Sequence, residues 1–138
     1  MHEPIIFVAE DDPDDQFLLT TVFEEIGVDI ELRFFEHGGK LLAAMANESV
    51  MPNLILLDLN LPQVDGKESL SSLKQNSKWR NVPVVVYTTS KSESDVNEVY
   101  AMGANSYIVK PARYDELIET MRTLVNYWFS TVRLSAPA

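Results

Sequence analysis

The sequence contains no cysteine, which removes disulfides, thiol catalysis and cysteine-based zinc sites, and suits a reducing compartment. Basic residues are also scarce. Eleven Lys and Arg stand against 21 Asp and Glu, a net charge of −10. Such a balance excludes binding to nucleic acid or an anionic membrane through bulk electrostatics. Long apolar runs are missing too: none exceeds six residues (Leu41–Ala46), far short of the roughly 20 needed to cross a bilayer. Met1-His2-Glu3-Pro4 lacks the basic flank and apolar stretch of a signal peptide. A soluble, cytoplasmic protein is expected. No repeat or low-complexity tract is present. The 138 residues suit one domain, and 46% apolar content is ordinary for a folded globule. A two-domain dehydrogenase, or a regulator with a second DNA-binding domain, does not fit.

Strand and helix patterns alternate along the chain. Ile5-Ile6-Phe7-Val8-Ala9 is apolar at every position, as in a strand buried on both faces of a parallel sheet. Asp12 then caps a helix with Pro13 at its first position, and Gly27 stops it. Leu18, Leu19, Val22, Phe23 and Ile26 share one face of that helix. Ile30–Phe34 alternates apolar and charged residues, which predicts a sheet edge or a wet face. A short helix after Gly38-Gly39 turns Leu41, Leu42 and Met45 inward. Leu54–Leu57 is a third strand, and Asp65-Gly66 opens a helix held by Leu70 and Leu73. Val84–Tyr87 follows as a β-branched strand. Val96, Val99 and Tyr100 mark a fourth helix ended by Gly103, Tyr107–Val109 is a fifth strand, and a last helix runs from Tyr114 towards Val132. Five such βα units predict an α/β fold, a parallel sheet with helices on both faces, whose site lies outside the carboxyl ends of the strands.

The residues at those ends form a chemical set. Strand one ends in Glu10-Asp11-Asp12, strand three in Asp58, strand four in Thr88-Thr89-Ser90 and strand five in Lys110-Pro111. Crowded carboxylates repel unless one is protonated or a cation intervenes. Mg²⁺ takes a few protein oxygens and keeps several waters. Asp11 and Asp58 can ligate it directly, the backbone carbonyl near Asn60 can help, and Glu10 can act through water. Metal, carboxylate, hydroxyl and ammonium together are what phosphoryl transfer onto a carboxylate needs. Taken singly, each residue has an ordinary role: Asp12 as a helix cap, the Glu10–Asp15 run as a solvated acidic face, Lys110 as a surface lysine. Their joint occurrence carries the functional reading. His2 and His37 are isolated and read as solvated, and Met45, Met51, Met102 and Met121 as packing.

The segments Ala9-Glu10-Asp11-Asp12, Leu57-Asp58-Leu59-Asn60-Leu61-Pro62 with Asp65-Gly66, Pro83–Thr88, and Tyr107-Ile108-Val109-Lys110-Pro111 resemble the receiver domain of two-component response regulators, in the family's order over about residues 4–126. The resemblance implies a flavodoxin-like (βα)5 fold of strand order 2-1-3-4-5. It implies Asp58 as phosphoacceptor from a histidine kinase, Glu10 and Asp11 as the acidic pair with Asp11 the direct metal ligand, and the Asn60 carbonyl on Mg²⁺. It further implies Thr88 and Tyr107 as switch residues, Lys110 as the motif lysine, and a cis bond before Pro111. The Glu-Asp-Asp-Pro-x-Asp segment, Thr88-Thr89-Ser90 and the C-terminal tail are similar to the small stand-alone regulators paired with bacterial phytochrome kinases. A phosphorylation-controlled binding module is expected, not a turnover enzyme, and its output passes through a downstream protein.

Two other functions fit less well. A phosphatase of the haloacid dehalogenase type wants a second Asp where Asn60 stands. A flavodoxin-like electron carrier wants a Ser/Thr/Gly-rich phosphate loop where Glu10-Asp11-Asp12 would repel the phosphate. At the C-terminus, a receiver spanning residues 1–126 is followed by an extension, 127–138, that continues the last helix and then becomes a flexible tail. Leu117, Ile118, Met121, Leu124, Val125, Trp128, Phe129 and Val132 fall in one arc. A helix of about 28 Å overhangs a strand of about 17 Å. Trp128, Phe129 and Val132 are therefore expected to be left exposed and to form a homodimer interface. The alternatives are a helix that ends near Asn126, with Trp128 and Phe129 folded back onto the domain, and a phosphorylation-dependent dimer that uses only the fourth-helix to fifth-helix face.

Overall fold

Successive strand residues face opposite sides of a sheet, and the apolar runs exploit both sides. The computed structural model describes residues 3–47 and 51–135. Its strands are β1 (Ile5–Ala9), β2 (Glu31–Phe35), β3 (Leu54–Leu57), β4 (Val84–Thr88) and β5 (Ser106–Val109). All pair in parallel, in the order β2-β1-β3-β4-β5. The helices are α1 (Pro13–Ile26), α2 (Gly38–Asn47), α3 (Gly66–Gln75), α4 (Glu93–Ala101) and α5 (Tyr114–Asn126). Ile5, Phe7, Ala9, Ile55 and Leu57 pack against α2, α3 and α4 through Leu41, Met45, Leu70, Leu73 and Val99. Ile6, Val8, Leu54 and Leu56 pack against α1 and α5 through Leu19, Val22, Phe23, Leu117, Met121 and Leu124. The flavodoxin-like expectation is met, with β2 at one edge.

Local signals place the helix starts. The Asp12 carboxylate accepts the Asp14 N–H at 2.9 Å with Pro13 at the head of α1, and Gly27 closes it at φ +70. Asp65 caps α3 by accepting the Glu68 N–H. Met45 and Met121 are buried, as read from the sequence, and Met51 and Met102 are partly buried against the core. His37 is not merely solvated: its Nδ1 accepts the Lys40 N–H at the start of α2.

Several expectations need correction. Strand β2 begins at Glu31, with Ile30 leading into it. Leu18 is 39% exposed and Tyr100 46% exposed, so the buried stripes of α1 and α4 are narrower than their apolar residues suggest. The last helix does not run as one α-helix to Val132. A π turn, Tyr127–Thr131, follows Asn126, closed by the Val132 N–H on the Tyr127 carbonyl at 3.0 Å. The wider turn changes the phase of the side chains. Trp128 and Phe129 are partly buried against the core cluster that α1 and α5 form with the sheet. Trp128 lines a recess with Ser106 and Ile108 of β5 and Leu124 of α5, so the sheet edge lies beside it. Tyr127, 48% exposed, is the large aromatic that faces outward there. The expected flexible tail (136–138) and His2 lie outside the described residues.

Candidate functional site

Register brings the acidic residues together. Ala9 is paired with Leu57, so Glu10 and Asp58, the next residue after each strand, leave the sheet side by side. Asp58 N–H donates to the Ala9 carbonyl at 3.1 Å, and Glu10 N–H to the Phe35 carbonyl at 2.9 Å. Oxygens of Glu10, Asp11 and Asp58 lie within 4.8 Å of one another. Glu10 and Asp58 are buried while Asp11 is open to solvent. Gly66 makes this packing possible: a Cβ there would stand 2.2 Å from the Asp58 carbonyl oxygen and 2.5 Å from the Leu59 Cα.

The counter-charge comes from the far end of the fold. Lys110 N–H donates to the Thr88 carbonyl at 2.8 Å, which fixes the strand end. Its Nζ donates to Glu10 Oε1 at 2.5 Å, Asp15 Oδ2 at 2.8 Å and Asp58 Oδ2 at 2.9 Å. Burial lowers the affinity of this ammonium for its proton, but the bonds to Asp15, Glu10 and Asp58 outweigh that and hold it above the usual lysine range. Burial pushes the Glu10 carboxyl up to about 7, against the opposing pull of Lys110 and with the help of the Asp58 charge. Burial likewise raises the phenol of Tyr87, whose ring centroid lies 5.5 Å from Lys110 Nζ. No cis peptide bond occurs among the described residues, so the expected cis link before Pro111 is absent and Lys110 reaches the site through a trans bond.

The remaining sequence-chosen residues also converge here. Asn60 N–H donates to Asp58 Oδ1 at 3.1 Å, so the Asn60 backbone sits at the carboxylate. Thr88 is fully buried at the end of β4, and its Oγ1 is 3.5 Å from the Ser90 nitrogen, a long contact. Tyr107 donates its hydroxyl to the Ser90 carbonyl at 2.9 Å. Ser90 Oγ donates to Asp95 Oδ2 at 2.6 Å, and Asp95 Oδ1 takes Lys67 Nζ at 2.7 Å, tying the β4–α4 loop to α3. Trp128, Phe129 and Val132 lie in and after the π turn, away from this rim.

Sequence reasoning missed Asp15 and the Ser90–Asp95–Lys67 chain. Asp15 looked like one more solvated carboxylate in an acidic run; its position in the first turn of α1, directly after the strand end, was the available signal. Three carboxylates with only oxygen donors suit a hard divalent cation, which relieves repulsion that one lysine leaves partly uncompensated.

The response regulator receiver domain matches residues 6–122 of the chain. Response regulator Rcp1 of Synechocystis is 39% identical over 96% of this chain and 93% of its own length. The crystal structure of the phosphorylated cyanobacterial phytochrome response regulator RcpA superposes with a TM-score of 0.92 at 31% identity, covering 98% of this chain and all of that one. The Mn²⁺-bound form of Rcp1 superposes with a TM-score of 0.88 at 36% identity, covering 96% and 99%. No helix among the described residues is long and apolar enough to cross a membrane.

Proposed function

The chain belongs to the response regulator receiver family, and on that premise we propose that Asp58 accepts a phosphoryl group from the phosphohistidine of a kinase in a Mg²⁺-dependent step. A carboxylate oxygen of Asp58 attacks phosphorus as the phosphorus–nitrogen bond breaks, and the imidazole nitrogen keeps the bonding pair. Asp11, Asp58 and the Asn60 carbonyl would hold Mg²⁺, with Glu10 acting through a water. The ion supplies charge neutralisation for the phosphoryl oxygens when bound. Lys110 neutralises a further oxygen, and Thr88 donates its hydroxyl to the phosphorylated form. The chain promotes its own phosphorylation and hydrolysis, in which water attacks phosphorus and Asp58 leaves as the carboxylate. It is a signalling module, not a turnover enzyme on a metabolite.

The observation that carries this reading is the Lys110 ammonium bonded to Asp58 beside the Glu10–Asp11–Asp58 oxygens. The RcpA likeness supports the finer proposal that the kinase is a bacterial phytochrome. The proposal places the chain in the cytoplasm, with output through a second protein. We also assign homodimer formation to the C-terminal end, through the outward parts of Trp128, Phe129 and Val132. Acetyl phosphate with Mg²⁺ tests the core claim by intact mass. The wild-type chain gains one phosphoryl group and Asp58→Asn gains none. A stable adduct on Asp58→Asn would overturn the assignment.

A further inference from the structure

An ammonium has three N–H donors. Lys110 spends them on three carboxylates that reach it from three places in the chain, Glu10 after β1, Asp58 after β3 and Asp15 on α1. Two of these belong to the acidic trio where a metal fits; Asp15 does not. Its carboxylate is available for a specific reason. An acid in the third position of a helix often turns back to the N–H of the capping residue. Here the Asp12 N–H is taken by Glu10 Oε2 at 3.2 Å, and Asp15 turns to Lys110 instead. Gln16 keeps this first turn against the strand end by donating its side-chain N–H to the Glu10 carbonyl at 2.7 Å.

From this geometry we propose that Asp15 is a positioning residue for phosphoryl transfer, one that holds the Lys110 ammonium over Asp58. The inference rests on the phosphoacceptor role of Asp58. When Asp58 carries the phosphoryl group, the Lys110 donor now on Asp58 Oδ2 passes to a phosphoryl oxygen. The donors on Asp15 and Glu10 stay where they are and keep the ammonium from swinging into solvent. Lys110 is a flexible chain that is one-tenth exposed, so without Asp15 it has an open side towards which to move.

The test is a double-variant cycle on the full chain, with phosphorylation by acetyl phosphate at saturating Mg²⁺ followed by intact mass. Asp15→Ala is expected to slow uptake by about ten- to a hundredfold, the upper end being the loss that a displacement of about 1 Å at a reacting centre causes. Asp15→Asn, which keeps an acceptor oxygen, should slow it less and serves if the alanine variant folds poorly. Mg²⁺ affinity should stay within about twofold, because Asp15 is outside the trio. In a Lys110→Met background, Asp15→Ala should cause no further slowing. Equal slowing in both backgrounds, or no slowing in the first, would overturn the proposal. Should the wild-type chain take up no phosphoryl group, the phosphoacceptor reading fails. The placement of Lys110 is then judged by nitrogen-15 NMR. Its ammonium protons should be protected from exchange in the wild type and lose that protection in Asp15→Ala, and unchanged protection would overturn the positioning role on its own.

Discussion

Lys110 and Asp58, 52 residues apart in the chain, meet through a 2.9 Å hydrogen bond at a site where the lysine side chain is 10% exposed and the carboxylate 6%. Breaking a buried pair by removing one partner leaves the other charge uncompensated. Lys110→Met is therefore expected to lower the unfolding free energy by about 3 kcal/mol in EDTA, read by denaturant titration. Added Mg²⁺ should recover part of that loss, because the divalent charge replaces the missing ammonium. A loss that Mg²⁺ does not reduce would mean the carboxylates are not the source.

Glu10 predicts a pH dependence. Its carboxyl is raised by burial from 4.5 to about 7 in the folded chain. A group whose folded value lies above its unfolded value adds stability that is complete below pH 4.5 and is lost as pH rises through about 7. Glu10→Gln cannot ionise and lacks this loss. In metal-free buffer the variant should gain stability relative to the wild type between pH 4.5 and 7, as seen in melting temperature. A difference that is flat across that window would contradict the burial argument.

Tyr107 holds Ser90 by one hydrogen bond, and Ser90 in turn touches Thr88. A phosphoryl group on Asp58 would offer new acceptor oxygens; on the proposed switch these should draw the Thr88 hydroxyl away from Ser90, and the vacated space should let Tyr107 turn inward. Tyr107→Phe removes the bond to the Ser90 carbonyl, which the inward-turned form would give up. It should raise the affinity for beryllofluoride about fivefold, the size of one ordinary hydrogen bond. Amide shifts in the wild type should change along α4, β5 and α5. Unchanged affinity, together with shifts confined to the opposite face, would exclude this coupling.

The C-terminal end predicts self-association. Light scattering should find a dimer for the full chain at tens of micromolar and a monomer for a version ending at Tyr127. Because Trp128 and Phe129 also cover the chain's own core, that truncation should cost about 2 kcal/mol or more of stability. A full chain that stays monomeric with and without beryllofluoride would exclude the dimer.

The conformation at Gln63, left-handed at φ 59 in the β3–α3 loop, predicts a stabilising substitution. Side chains resist this region, while glycine enters it freely but loses more entropy on folding. Gln63→Gly should raise stability by up to about 1 kcal/mol in denaturant titration, and a clear loss would show that the side chain contributes something the loop needs.

The strands, their buried faces and the helix starts at Asp12 and Asp65 were legible in the sequence, because they depend on neighbours a few residues away. Continuous apolar runs, a capping carboxylate and a stopping glycine act within one or two turns of chain. The strand-end carboxylates were legible for the same reason: a parallel sheet places every strand's carboxyl end on one rim, so Glu10, Asp58, Thr88 and Lys110 had to be neighbours once the strands were known. The tertiary structure decided what depends on register and side-chain reach between distant segments. Asp15 meets Lys110 across 95 residues, and Tyr107 meets Ser90 across 17. Trp128 and Phe129 pack against the chain's own core, and Trp128 lies in a recess beside Ile108 of β5. Helical spacing put all of the last helix's apolar residues on one arc, but whether its end is bare or covered depends on what lies opposite. A sequence states which side chains share a face. Only the packed fold settles which groups that face meets, because each such contact is chosen by competition among all the partners the fold brings within reach.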